Sequence, residues 1–302
     1  MVVAVPTQHN SPSQHKGIRE FFRTRRGRRD LLFWVLCSLA FVCVAAPSLS
    51  IIVSVLHQAW PAFGWSLFTQ RTNGIGLQNA ILGTLLFLVG VLIVAGTIGV
   101  AAGIYLAEFS HGRTERLLRY FSEVLAGMPS IVIGYIGYIT LVVQFHWGFS
   151  LLAAVLSLSV LVLPYIVKTT EVAFRQVPTY LREAAAGLGM PRSTTVWRIL
   201  LPPASSGVIS GLIVALAIST GELAPLLFTA GFSDQNPKLH LLHSQVPYLT
   251  NVIFTDLALP GARAHATSAA ASAVSLLILI LLIIAGRLVS RRARRTTQLM
   301  TI

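Results

Sequence analysis

EAAAGLGMPRSTTVWRILLP, residues 183 to 202, is a polar, interrupted stretch inside an oily chain. It carries Glu183, Arg192 and Arg198, together with Gly187, Gly189 and Pro191. In VPTYLREAAAGLGMP (177 to 191), which overlaps its start, Leu181, Ala185 and Leu188 fall at i, i+4 and i+7. That spacing gives a helix with one modest apolar face, from which Arg182 and Glu183 point away. Pro178 can open such a helix, and Gly189 followed by Pro191 can close it. A helix of about three turns is therefore predicted over 178 to 190, outside the membrane. So short a helix is marginal alone and needs a surface to pack against.

The surroundings set the solvent. The 302 residues are 54% hydrophobic and only 11% charged, outside the range of soluble domains. Apolar runs near the length that crosses a ~30 Å hydrocarbon core, about 20 residues, recur at 31 to 57, 78 to 107, 121 to 145, 149 to 167, 204 to 230 and 267 to 286. The expected fold is an all-α integral membrane protein with six transmembrane helices. Six spans put both termini on one side. Of the 23 Lys and Arg residues, all but Arg71, Lys238 and Arg263 then share that side, and the positive-inside rule makes it cytoplasmic. The net charge of +13 thus resides largely in topology anchors such as RTRRGRR (23 to 29) and RRARR (291 to 295), which suit anionic lipid. No nucleic-acid partner is expected.

Residues 1 to 30 read as a basic cytoplasmic tail and 291 to 302 as another. The apolar run at 31 to 57 far exceeds the ~7 to 15 residues of a signal-peptide core, so it is expected to stay as an anchor. Its Cys37 and Cys43, the only cysteines, fall on different helix faces and offer no disulfide framework. Trp60 and Trp65 suit the interface belt. The connection from 231 to 266 is expected to cover the outer mouth. Its His240, His243 and His265 lack tight ligand spacing, which favours a solvated loop over a metal site. Gly99 with Gly103, and Gly207 with Gly211, form GxxxG pairs that allow close helix approach, with a pore lining as the alternative.

Chemistry of its own is missing. Lys16, Lys168 and Lys238 follow no GxxxxG, and HExxH, GxSxG and CxxC are all absent. The acids Glu123 and Glu222 stand alone in their spans, without a nucleophile or metal ligands beside them. The chain is not expected to be an enzyme, and any uphill transport has to draw its energy from a partner.

Here a resemblance becomes specific. Glu183-Ala184-Ala185, three residues, Gly189, nine residues, then Ile199, Leu200, Leu201 and Pro202 reproduce without a gap the EAA loop of binding-protein-dependent ABC import permeases. The resemblance implies a type I ABC importer permease fold over 78 to 290, with 178 to 190 as the coupling helix seated in a cleft of a cytoplasmic ATPase. Glu183, Ala184, Ala185 and Gly189 would make that contact, the acid as a polar hook and the glycine as the turn that reverses the chain. ATP and Mg would be bound by the ATPase and no cofactor by this chain.

AGIYLAEF (102 to 109), EVLAGMPSIVIGYIG (123 to 137) and GELAPLLFTAG (221 to 231) are similar to stretches of the PstA-type permeases of phosphate importers. The implied partners are a second, PstC-like permease, a PstB-like ATPase dimer, an extracytoplasmic PstS-like phosphate-binding protein and membrane lipids, all at a bacterial plasma membrane. Two departures stand out: Ile218 where such chains are expected to carry arginine, and Leu223 where they carry threonine. The candidate pathway residues are Pro129, Ser130, Thr220 and Glu222. Counting ~1.5 Å per residue from Pro202 sets Glu222 about 30 Å along its helix, near the outer interface. It is either a gate facing the partner permease or a hydrated residue at a break made by Gly221 and Pro225. Pro129 and Ser130 admit a kink or a direct phosphate contact, the kink favoured.

Overall fold

The computed structural model describes residues 25 to 72, 76 to 237 and 239 to 299. The tail before residue 25, Lys238 and the last three residues lie outside them, as do the side chains of most of both arginine clusters. The chain divides into two units, Met1–Ser54 and Val55–Ile302. The first is dominated by α1 (Arg25–Ala59), whose side chains from Leu32 to Val44 are exposed, the unbridged Cys37 and Cys43 among them.

The second unit is all-helical among the described residues. Its helices are α2 (Trp65–Thr69), α3 (Gln78–Ile104), α4 (Arg113–Gly127), α5 (Ser130–Gly137), α6 (Leu151–Arg175), α7 (Thr179–Gly187), α8 (Arg192–Thr195), α9 (Leu201–Gly221), α10 (Ala224–Thr229), α11 (Leu249–Ala258) and α12 (Ala262–Leu299). Three π-helical turns, Tyr105–Phe109, Tyr138–Gln144 and Val196–Leu200, extend α3 and α5 and lead into α9. Among the described residues of the whole chain, the stretch from Leu32 included, five helical stretches are long and apolar enough to cross a membrane, and six if the bent pair α4 and α5 counts as one.

The axis of the unit is α6, against which α3 and α9 both pack. The GxxxG pairs make this possible, as the packing reading expected. A Cβ on Gly99 would come within 2.7 Å of Ile166 Cγ2, and one on Gly103 within 2.7 Å of the Val167 carbonyl oxygen. On α9, a Cβ on Gly207 would reach 2.5 Å from Ala173 Cβ, and one on Gly211 would overlap Thr169. Around this axis Phe87, Val91, Leu158, Val162, Ile166 and Val274 form the main core.

The kink favoured at Pro129 and the break offered at Gly221 and Pro225 are both present, and they divide two of the apolar runs. The run 121 to 145 is no straight span: α4 and α5 meet at 102°. Met128 precedes proline and takes an extended ψ of 132°, because the proline ring excludes the helical conformation there. The Pro129 carbonyl then accepts from the amides of Val132 and Ile133, starting a new helix. The run 204 to 230 ends as a helix at Gly221, since Glu222 is extended and Pro225 lies in the first turn of α10. The stretch 231 to 266 is not all loop, for α11 is apolar, packs on α12 and α3, and has its Leu249 amide held by Thr84 Oγ1 at 3.0 Å. At ten residues it is too short for the span criterion that reads such runs in sequence. Trp60 and Trp65 are 79% and 83% exposed, free to meet a membrane interface.

Candidate functional site

The segment 177 to 202 folds into α7, a glycine turn, α8 and the π turn before α9. Pro178 sits at the N-cap of α7, its carbonyl accepting from the Leu181 amide at 3.2 Å. The C-terminus closes in a Schellman arrangement: Gly189 N–H donates to Ala186 O and Met190 N–H to Ala185 O, both at 3.0 Å. That closure needs a left-handed residue, and Gly189 has φ +69°. Leu201 N–H then donates to Val196 O across five residues, just before Pro202 and Pro203, which have no N–H to give.

One side of α7 is seated. Ala185 is 1% exposed, and Leu181 packs on a small cluster formed by Ile104, Phe174, Val177, Val196, Leu200 and Ala204. Leu188, expected on that face, is instead 80% exposed. The helix ends at Gly187, so Leu188 belongs to the reversal and leaves the helical period. Tyr180, Glu183, Ala184 and Leu188 are all exposed, a carboxylate among apolar side chains. The two glycines should therefore respond oppositely to alanine. Gly187→Ala, in helical backbone with nothing within 4 Å of the new Cβ, is expected to stabilise by about 0.5–1 kcal/mol. Gly189→Ala should cost about 1–2 kcal/mol from the left-handed φ. Thermal unfolding in detergent checks both, and equal responses would contradict the described turn.

Arg182 does not point away, as its place in the helical period suggested. Its Nε donates to both Glu108 oxygens at 3.2 and 3.1 Å, and a terminal nitrogen reaches Glu108 Oε1 at 2.6 Å. The remaining donors cap Val177 O at 2.8 Å and Phe174 O at 2.7 Å, beside the C-terminus of α6, where a cation is favoured by the helix dipole. A second network lies alongside. Glu171, its side chain 3% exposed, accepts from Arg119 of α4 and from Arg175 Nε at 2.8 Å, while Arg175 also reaches Glu115 at 3.2 Å and Leu106 O at 3.4 Å. Buried carboxylates are stable only when paired in this way. Lys168 and Glu123 line a cavity of about 270 Å³ next to it.

The stretches that carry the pathway candidates meet where α5 packs on α10. Gly134 of α5 lets the backbone of α10 approach, since a Cβ there would lie 2.9 Å from both Ala224 O and Pro225 Cα. The Tyr135 and Phe228 rings meet edge to face at 6.1 Å. The stretches EVLAGMPSIVIGYIG and GELAPLLFTAG are thus brought together, with exposed Pro129 and half-buried Ser130 at the start of α5. Glu222 is half-buried at the break, its carbonyl accepting from Thr250 Oγ1 at 3.1 Å. Thr220 is buried, its hydroxyl donating to Leu216 O at 2.8 Å along its own helix. Ile218 and Leu223, the two departures, both pack against the main core.

Residues 99–295 match the family of the binding-protein-dependent transport system inner membrane component. The chain belongs to this family. It is 46% identical over 273 residues to the phosphate transport system permease protein PstA 2 of Mycobacterium bovis, covering 90% of this chain and 91% of that protein. It is 36% identical over 187 residues to the phosphate transport system permease protein PstA of Xylella fastidiosa, covering 60% and 65%. Among solved structures, an inward-facing MetNI methionine ABC transporter chain superposes with a TM-score of 0.57 at 16% identity, over 76% of this chain and 97% of that one. An amino acid ABC transporter chain gives 0.51 at 20% identity, over 72% and 92%. At such identities the likeness establishes the fold alone, the type I ABC importer permease fold.

Sequence reasoning missed Glu108, Glu171 and the role of Arg182. Glu108 and Arg182 are 74 residues apart, and nothing in a single sequence announces that they pair.

Proposed function

We propose that this chain is the permease subunit of an ATP-driven importer of inorganic phosphate, forming the pathway together with a second, PstC-like permease. The observation that carries the reading is α7: anchored through Ala185 and Arg182, it presents Glu183 and its apolar neighbours outward at the position of the EAA signature. Such a ledge suits a cleft in a PstB-like ATPase dimer, with Glu183 as the polar hook, Ala184 allowing close approach and Gly189 setting the turn, whereas Ala185, expected in that contact, is buried and seats the helix instead. ATP and Mg would be held by that ATPase, and a PstS-like binding protein would deliver phosphate from outside. The charge distribution supports cytoplasmic termini in a bacterial plasma membrane. Closure of the ATPase would drive the coupling helices together and rock the spans about the α6 axis, opening the outer mouth. Pro129, Ser130, Thr220 and Glu222 would belong to the α5 and α10 region of the pathway. The substrate assignment draws on the PstA relatives, and the apolar Ile218 leaves its cationic contacts to other residues or to the partner permease.

The test is uptake of labelled phosphate by vesicles holding this chain with its companion subunits. ATP inside should drive accumulation, and excess unlabelled phosphate should abolish it. Suppression by sulfate, molybdate or phosphonate instead would reassign the cargo, and accumulation without ATP would overturn the energy source.

A further inference from the structure

We propose that the Arg182–Glu108 pair is the tie that passes movement of α7 to α3, making both positioning residues for transport. This rests on the reading of α7 as the helix that docks the ATPase. By chain connectivity α7 is joined only to α6, through residues 176 to 178, and to α8 and α9 after it. No covalent connection leads to α3, which closes one side of the packing around α6.

Two contacts bridge that gap. Leu181 rests on the small cluster that includes Ile104 of α3. Apolar contact of this kind is non-directional, so a helix can slide on it at little cost. The second contact is directional: the Arg182 guanidinium grips both oxygens of Glu108 while its other nitrogens hold the carbonyls of Phe174 and Val177. One planar group thus pins three elements, α7, the end of α6 and the turn after α3. The Glu108 side chain is 10% exposed and that of Arg182 is 26% exposed, so neither charge is screened as a surface pair would be.

Glu108 itself stands on the π turn Tyr105–Phe109, where the ladder has already left the α register and can shift more readily than regular helix. Arg175 holds the same turn from α6, through Leu106 O. A push on α7 would therefore arrive at the turn after α3, which Arg175 of α6 and Arg182 of α7 both hold, with Arg182 as the grip that moves with the ATPase.

The assembled importer in proteoliposomes tests this through phosphate taken up per ATP hydrolysed. Glu108→Gln and Arg182→Gln are each expected to lower that ratio about tenfold, with the ATPase subunit still co-purifying. The double variant should be no worse than Arg182→Gln alone, since both remove one interaction. Losses that add, or uptake and hydrolysis falling together at an unchanged ratio, would show the pair to be a brace only and overturn the proposal. If the wild-type chain captures no ATPase subunit, the docking reading fails first and takes the tie with it.

Discussion

Arginine in place of Glu183 is expected to abolish capture of the ATPase subunit while leaving this chain folded and inserted. The side chain is exposed and makes no ion pair among the described residues, so reversing its charge breaks no contact within the chain. The seat of α7 is elsewhere, in Ala185, Leu181 and Arg182. A reversed charge at a docking contact that becomes buried costs about 2 kcal/mol or more, some 30-fold in affinity. Co-purification of the complex from detergent reads this directly, with membrane insertion and the thermal midpoint of the isolated chain as controls. Normal capture by the Glu183→Arg chain would remove this residue from the contact. A lower midpoint would mean that α7 itself had been disturbed.

The second large effect is structural and lies at the opposite end of α3. A methyl group on Gly83 would fall on the carbonyl oxygen of Pro247 and within 2.9 Å of its carbon. Alanine in a helix interior normally gains up to about 1 kcal/mol over glycine, but here the clash is with backbone, which cannot rotate aside. It also stands next to the Thr84 hydroxyl that holds the Leu249 amide, so relief would pull α11 from its cap. We expect Gly83→Ala to cost about 3 kcal/mol, at the upper end for overpacking, and to lower the thermal midpoint by roughly 5–10 °C. Gly90→Ala is the comparison: its new Cβ would press on Val155 side-chain atoms at 2.5 and 3.1 Å, a clash with a side chain and not with backbone. A Gly83→Ala chain as stable as the native one would contradict the close approach of α3 to the 246 to 249 segment.

These two sites differ in how far they were legible beforehand. The EAA spacing located α7, its glycine turn and the position of Glu183, because caps, prolines and helical period are local properties. The glycine pairs likewise announced close packing, and the structure supplied the partner: both sets face α6. The kink expected at Pro129 is present, but its size, two helices meeting at 102°, was not legible in the sequence. Leu188 was misplaced by a periodicity extended one residue past the end of its helix.

The sequence by itself determined that this chain is a helical membrane protein, where its polar EAA segment lies, and which end of that segment turns. Those properties follow from hydropathy, charge balance and residue spacing, all read within a few helical turns. Tertiary structure alone decided that Arg182 meets Glu108, that Glu171 meets Arg119, and that Gly83 must admit Pro247. Each joins residues more than 50 positions apart or on different helices. A chain shows the sign of each charge but not which charges will meet, and only when folding removes the water between them does the geometry of the pair set what it can hold.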